Sequence, residues 1–232
     1  MGKIISWFKN YWYYYKWPVI IISFFAAVIL FCIFSDGNKT EYDVSILYTG
    51  PCFITADEKD EMMSAFAQVM THDKNGDGDK NAEIIDMPAF TDEQIKTAMD
   101  GEEDKDGVLY AKYAPYIIKN VENGFSQQFM GGVSSICLLD PLWYGRVYDR
   151  EALLPLEDIL GYKPEKLIDE YSVYFKDLPF AQWFGIFDKL PDDTILCFRK
   201  ATTAASFTGK DKAVENYEAG KQMLRDIFAF SN

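Results

Sequence analysis

Histidine is almost absent from this chain, which carries one, His72, in 232 residues. Catalytic arrangements that use an imidazole as a base, and zinc sites that use it as a ligand, therefore have almost no candidates. Basic residues are also scarce, with 23 lysines and arginines against 36 aspartates and glutamates. The resulting formal charge of −13 argues against binding to nucleic acid or to anionic lipid, because both would repel the chain.

Cysteine is the third scarce residue, with four in the chain and none in a Cys-x-x-Cys spacing. Cys32 lies in a long apolar run, and the odd number that remains elsewhere excludes a fully paired disulfide framework there. Cys137 and Cys197 each lie in a short apolar run that is typical of a buried strand. We interpret them as buried thiols, and the alternative is a single bridge.

One long hydrophobic run is present, at residues 18–34 (PVIIISFFAAVILFCIF). As a helix it would cover about 25 Å of a bilayer core about 30 Å thick. Residues 1–17 are rich in tryptophan and tyrosine, which is typical of the headgroup interface. We predict a transmembrane helix at 18–34, preceded by a cytoplasmic and interfacial tail at 1–17.

The charges that flank this run predict its orientation. Three lysines and no acidic residue precede it, whereas acidic residues follow it from Asp36 onward. The positive-inside rule therefore predicts a single-pass protein of the cell membrane with a cytoplasmic N-terminus, a linker at 35–42 and an extracellular domain at 43–232. A cleaved signal peptide is the alternative, since Ser35 and Gly37 offer small residues to a peptidase.

Short apolar runs alternate with helical patterns throughout the part after residue 42, and no internal repeat interrupts them. The predicted strands cover 43–50, 82–90, 131–140 and 194–200. Because strand and helix alternate, we predict an α/β fold in which one mainly parallel sheet is flanked by helices.

The run GGVSSICLLDPLWYGRVYDREALLPLEDIL, at residues 131–160, resembles the first lobe of bacterial extracellular solute-binding proteins, which have the type 2 periplasmic-binding-protein fold. The resemblance implies a lobe that binds a small polar ligand such as a carbohydrate and has an ABC-transporter permease as partner. Residues 162–190 are too few for a second lobe, so the chain resembles a single-lobe relative held by a membrane anchor.

Two other classes of function are alternatives to solute binding. The first is a non-enzymatic scaffold for envelope assembly that has lost ligand binding. The second is an enzyme, for which neighbouring acids such as Glu102 and Glu103 are present without any positioning motif around them. We therefore predict no catalytic residues.

The carboxyl ends of parallel strands are where ligands bind in open α/β sheets. We predict a ligand site there, formed by Tyr48, Thr49, Gly50, Asp140, Trp143 and Tyr144. The two later aromatic side chains could stack on a sugar ring while the aspartate accepts hydrogen bonds from hydroxyl groups. The alternative is plain core packing of the aromatic residues and helix capping by the aspartate.

Residues 73–81, DKNGDGDKN, place oxygen-bearing side chains at alternate positions around two glycines. This spacing matches a calcium-binding loop through its ninth position but places Ile84 at the twelfth, where a bidentate acid is required. We predict a structural Ca²⁺ ion held by Asp73, Asn75, Asp77, Asp79, Asn81 and Glu83, with a further ligand from elsewhere in the chain. A solvated turn without an ion is the alternative.

Overall fold

The structure is a computed structural model that describes residues 2–36, 41–90, 121, 123–201 and 210–231. The chain divides into two compact units, Met1–Glu41 and Tyr42–Asn232. The helical pattern that follows the second predicted strand lies outside the described residues.

In the first unit, helix α1 spans Gly2–Asp36 and contains Pro18. Its 35 residues extend over about 52 Å. The window Tyr11–Phe31, with 21 residues and a mean hydropathy of 1.8, is long and apolar enough to cross a membrane. Length and composition alone fit a membrane anchor and a signal sequence equally well.

Within its described residues the second unit has five strands, six helices and two short 3₁₀ turns, the last at Phe175–Asp177 and Gly185–Lys189. In chain order they are β1 (Val44–Gly50), α2 (Ala56–Val69), β2 (Ala82–Pro88), α3 (described over 123–131), β3 (Ile136–Leu139), α4 (Pro141–Tyr148), α5 (Leu156–Leu160), β4 (Ser172–Tyr174), α6 (Pro179–Trp183), β5 (Ile195–Phe198) and α7 (Lys210–Ala229).

The five strands form one sheet in the order β2-β1-β3-β5-β4. β1 is parallel to both β2 and β3, whereas β5 is antiparallel to both β3 and β4. The α/β prediction is confirmed, and the sheet is mixed, because β5 runs opposite to the other four described strands. The reason lies in the connection to β5: β4 ends opposite the start of β5, at Tyr174 and Ile195, so β5 runs back along it.

Successive side chains of a strand point to opposite sides of the sheet, and this alternation divides the core in two. We call one side the closed face; it is lined by Ile46, Tyr48, Ile136, Leu138, Leu196 and Phe198. We call the other side the cavity face; it is lined by Leu47, Cys137, Leu139, Ile195 and Cys197.

Helices α2 and α7 cover the closed face. Met62 and Phe66 on α2 and Leu224 and Ile227 on α7 are buried against it. Thr55 begins α2 as a capping box with Glu58, in which each residue's side chain bonds the other's backbone N–H. The cavity face is packed by α3, through Phe125 and Phe129, and by α4.

Candidate functional site

The carboxyl end of β1 is buried and tightly packed. Tyr48 and Thr49 are 1% and 0% exposed, and among the described residues the Thr49 hydroxyl has no hydrogen-bond partner. A Cβ atom on Gly50 would lie 2.7 Å from the Tyr48 hydroxyl oxygen, so glycine is required beside this ring. These three predicted ligand residues are therefore part of the core at this end of the sheet.

Asp140 follows β3 and begins α4. Its carboxylate accepts a hydrogen bond of 2.9 Å from the backbone N–H of Leu142, and burial raises the pKa of the Asp140 carboxyl. The Tyr144 hydroxyl donates to Asp169, whose carboxylate also accepts from the Ser172 hydroxyl. Asp140 thus caps a helix, and Tyr144 ties α4 to the segment that precedes β4.

Trp143 is a predicted ligand residue that lines a cavity. Helix α4 starts at the carboxyl end of β3 and returns along the cavity face, so its later turns reach the opposite end of that strand. The ring centroids of Trp143 and Phe125 are 4.6 Å apart, and the Arg146 guanidinium carbon lies 4.5 Å from the centroid of the Trp143 ring. Such a contact is a cation–π interaction.

The cavity beside Trp143 has a volume of about 570 Å³. Its apolar wall comes from α3 and α4, through Phe125, Phe129, Trp143 and Val147. Its polar wall carries four cationic side chains and one carboxylate, those of Arg146, Arg150, Arg199, Lys200 and Glu151. Among the described residues of the lining, positive charges therefore outnumber negative ones, whereas the chain as a whole has a net charge of −13.

Arg199 forms the floor of the cavity and is 1% exposed. Its Nε–H donates to the Ser134 carbonyl oxygen at 3.0 Å, and a terminal N–H donates to the Lys200 carbonyl oxygen at 3.0 Å. Burial lowers the pKa of Arg199, yet a guanidinium keeps its charge in proteins. The structure thus holds a fixed positive charge against the Phe129 ring, 6.0 Å from its centroid.

Glu151 turns the chain at the rim of the cavity. It has a φ of 52°, the left-handed conformation that non-glycine residues rarely adopt, and its N–H donates to the Tyr148 carbonyl oxygen. The turn ends α4 and allows Ala152 to accept from the Lys200 N–H at 2.8 Å. The cavity is therefore built on hydrogen-bonded backbone and not on a loose loop.

The loop at 73–81 is organised by its own hydrogen bonds. The Asp73 carboxylate accepts from the N–H groups of Gly76 and Gly78, Asn75 accepts from that of Asp77, and Asp77 accepts from that of Asp79. Both glycines have positive φ, at 70° and 95°.

The remaining predicted calcium ligands lie away from this turn. Glu83 is in β2 and accepts from the Ser45 hydroxyl at 3.0 Å, and the N–H of Asn81 donates to Asp43. In the part of the chain that the structure describes, no three carboxylate, imidazole or thiol groups are arranged to hold a metal ion. The calcium site stays a prediction.

Asp43 is an anchor of this loop that the sequence analysis missed. It is 2% exposed, and one carboxylate oxygen accepts from the N–H groups of Lys74 and Asn75 while the other accepts from that of Asn81. An aspartate directly before a buried strand was the available signal. Its three bonds fix both ends of the loop to the start of β1.

The cations of the cavity were also missed. Trp143 and Val147 are four residues apart on α4, and Arg150 follows Arg146 by the same interval, in the turn just after the helix ends. Arg199 and Lys200 directly follow β5. Two pairs of cations beside apolar elements in an acidic chain were the signal that could have located this site.

Comparison of the chain with protein-family models, curated proteins and solved structures found no match in any of the three. The likeness to solute-binding proteins therefore remains a prediction from sequence. What can be inferred about function has to come from the cavity and from α1.

Proposed function

We propose that this protein is a membrane-anchored, non-enzymatic binding domain that takes up a small anionic solute in the cavity beside Trp143. The observation that carries the proposal is the lining of that cavity, where four cationic side chains meet an aromatic wall. A volume of about 570 Å³ suits a small molecule, since ligand pockets measure roughly 300–1,000 Å³.

The charge distribution supports an anion over a neutral solute. Most of the acidic surface would repel an anion at long range, but that repulsion is screened beyond about 8 Å at physiological salt. Within the cavity, hydrogen bonds to the carbonyl oxygens of Ser134 and Lys200 fix the position of the Arg199 guanidinium. A solute in the cavity would therefore lie close to this positive charge. Arginine suits carboxylate and phosphate groups because its planar donors can form paired hydrogen bonds.

The aromatic wall supports a ligand with a flat or apolar part. Phe125 and Trp143 pack together and present ring surface beside Arg146. A sugar acid or an aromatic acid would satisfy both walls, whereas a bare inorganic ion would use only the cations. This refines the predicted carbohydrate class to carbohydrates that carry an acidic group, and it extends the class to aromatic acids.

The compartment is inferred from the charges that flank the apolar run at 18–34 within α1. The lysines before the apolar run favour a cytoplasmic N-terminus, with the second unit outside the cell. There the domain would capture solute at the membrane surface, and an ABC-transporter permease is the partner that the resemblance to solute-binding proteins implies. Protease added to intact cells should remove an epitope tag at the C-terminus; a protected tag would contradict this orientation.

The binding proposal is tested by thermal unfolding of the full chain in detergent with matched pairs of compounds. Glucuronate is compared with glucose, and benzoate with benzamide, so that each pair differs mainly in one negative charge. At a concentration of about 100 times Kd, a bound acid would raise the melting temperature by roughly 5–10 °C. The Arg146→Gln and Trp143→Ala variants should lose that shift.

Tyr174→Ala serves as the matched control, because it removes an exposed aromatic side chain from β4 and leaves the cavity intact. Equal stabilisation by the neutral and charged member of each pair would contradict an anion site. A shift that survives in both cavity variants would exclude this cavity as the site.

An assembly scaffold that has lost ligand binding is the second candidate. The observation that favours it is the exposure of large apolar side chains in the segment before β5, where Tyr162 is 51% and Trp183 is 58% exposed. Exposed apolar surface is typical of protein-binding regions when it is contiguous. Absence of any ligand-dependent shift, together with association that is lost in Trp183→Ala, would favour the scaffold.

A further inference from the structure

Cys137 and Cys197 face each other across the antiparallel pair β3–β5. Two residues further along this pair, the Arg199 N–H donates to the Ser135 carbonyl oxygen at 2.8 Å. Because hydrogen-bonded positions recur at every second residue of an antiparallel ladder, the two cysteines also occupy a hydrogen-bonded position. Cα atoms at such positions are about 5.5 Å apart, which is within the range that a disulfide spans.

The two side chains also point the same way. Both belong to the cavity face, both are 0% exposed, and both are reduced thiols in the structure. Burial, and after it a contact with the Cys137 thiol, raises the pKa of the Cys197 thiol. The sulfur atoms are therefore neighbours in a part of the core that water does not reach.

We propose that Cys137 and Cys197 form a disulfide across β3 and β5 when the domain folds in the presence of a disulfide oxidant. One thiolate attacks a sulfur of the oxidant's disulfide, which forms a mixed disulfide and releases one thiolate of the oxidant. The second cysteine thiolate then attacks the mixed disulfide and displaces the other thiolate. Two electrons pass from the cysteine pair to the oxidant, and the two thiol protons pass to solvent.

Burial determines when this exchange takes place. Thiolates are the reacting species, and a buried apolar site disfavours them. The bond therefore forms while β3 and β5 pair and before α3 and α4 cover the cavity face. Once covered, the disulfide is out of reach of soluble reductants, so it persists in the folded protein.

Cys52 provides an internal control. It belongs to the closed face, and its thiol donates to the backbone carbonyl oxygens of Phe53 and Lys189, each at 3.7 Å. The sheet separates Cys52 from Cys137 and Cys197, so its sulfur cannot reach either of theirs in the folded domain. A disulfide through Cys52 would require a different arrangement of the strands.

The test refolds the full chain in detergent with a mixture of reduced and oxidised glutathione. The refolded protein is then unfolded in denaturant so that buried thiols become accessible, remaining thiols are blocked with N-ethylmaleimide, and the digested protein is mapped by mass spectrometry without reduction. The expected product is one linked pair of peptides containing Cys137 and Cys197, lighter by two hydrogen atoms than the separate peptides. Cys52 should be found alkylated, and the Cys52→Ser variant should retain the link.

Thermal unfolding provides the second measurement. The link would close a loop of about 60 residues, so full reduction should lower the melting temperature by roughly 5–15 °C. The double variant Cys137→Ala/Cys197→Ala should melt at one temperature with and without reductant. If that variant does not fold, the peptide map of the unaltered chain decides alone.

Alkylation of both cysteines in correctly refolded protein would overturn the proposal, as would a link from either one to Cys52. The chemistry needs only an oxidant, so the outcome is independent of ligand binding and of the side of the membrane. A failed solute test and a failed disulfide test are thus separate results.

Discussion

The closed face and the cavity face use alternate residues of the same strands, yet they differ in what packs on them. On the closed face, a group of phenylalanines that includes Phe66, Phe180 and Phe187 fills the space. The ring centroid of Phe180 lies 5.1 Å from that of Phe66 and 5.2 Å from that of Phe187. On the cavity face, the core includes a buried arginine, two thiols and an open volume. The closed face is filled by aromatic side chains, whereas the cavity face retains an open volume with charged side chains around it.

The largest effect is expected from the closed face, in the Phe180→Ala variant. Phe180 is 0% exposed and packs against five other phenylalanines. Removing the ring should lower the free energy of unfolding by about 4 kcal/mol, because a cavity remains among rigid neighbours. Denaturant unfolding measures the loss of stability, and Trp183→Ala is the control because the Trp183 side chain is 58% exposed. Equal losses in the two variants would contradict the described packing.

A smaller loss of stability is expected on the cavity face, in the Trp143→Ala variant. Trp143 is 6% exposed, but it borders an existing cavity that has one charged wall. Water can enter the enlarged space and solvate the neighbouring cations, so we expect a loss of about 2 kcal/mol. The same unfolding measurement applies. A loss as large as that of Phe180→Ala would remove the proposed difference between the faces.

Calcium is expected to have a smaller effect, confined to the edge of the sheet at 73–81. A site with Kd near 10⁻⁴ M in about 1 mM calcium would gain about 1.4 kcal/mol, or roughly 3–5 °C in melting temperature. Chelation should remove this gain by leaving Asp73, Asp77 and Asp79 to repel one another. Asp77→Asn, which keeps a side-chain oxygen for the turn, should abolish the response. An identical melt with and without chelator would eliminate the site.

The smallest effect concerns acid pH at the edge of the closed face. Hydrogen bonds from the Lys189 side chain and the Thr55 backbone lower the pKa of Glu58 from 4.5 to about 2. A depressed pKa stabilises the fold above pH 4.5, and the contribution is lost as pH falls toward 2. Glu58→Gln should therefore lose less stability over this interval than the unaltered chain.

Acid unfolding followed by circular dichroism measures this difference. Asp57→Asn is the matched control, because it removes a charge from the same helical turn and leaves the Glu58–Lys189 pair in place. Parallel curves for Glu58→Gln and the unaltered chain would show that the pair adds nothing to stability at acid pH.

The sequence predicted the elements of the fold better than their arrangement. Strands at 43–50 and 194–200 appear at Val44–Gly50 and Ile195–Phe198, because short apolar runs bounded by polar residues carry their own signal. The antiparallel direction of β5 was not predictable from that signal. It depends on where the chain leaves β4, which local pattern does not encode.

The site was predicted less well for a related reason. Ligands bind at the carboxyl ends of parallel strands in open sheets, and this rule selected the strand ends at Thr49 and Asp140. Trp143 was included only because it follows Asp140 closely in sequence. Helix α4 then carries this side chain toward the opposite end of β3, where Arg199 lies. A helix's direction over a sheet is a tertiary property, so residue spacing alone could not bring these two together.

The position of β5 between β3 and β4 has a consequence for biosynthesis. Until the ribosome has delivered residue 198, β3 has an unpaired edge, and β4 has no strand to join. An exposed edge of this kind recruits other chains into aggregates. A nascent chain is therefore protected from aggregation only once β5 has been synthesised. A chain truncated before β5 would keep the edge of β3 unpaired, and we expect it to be degraded.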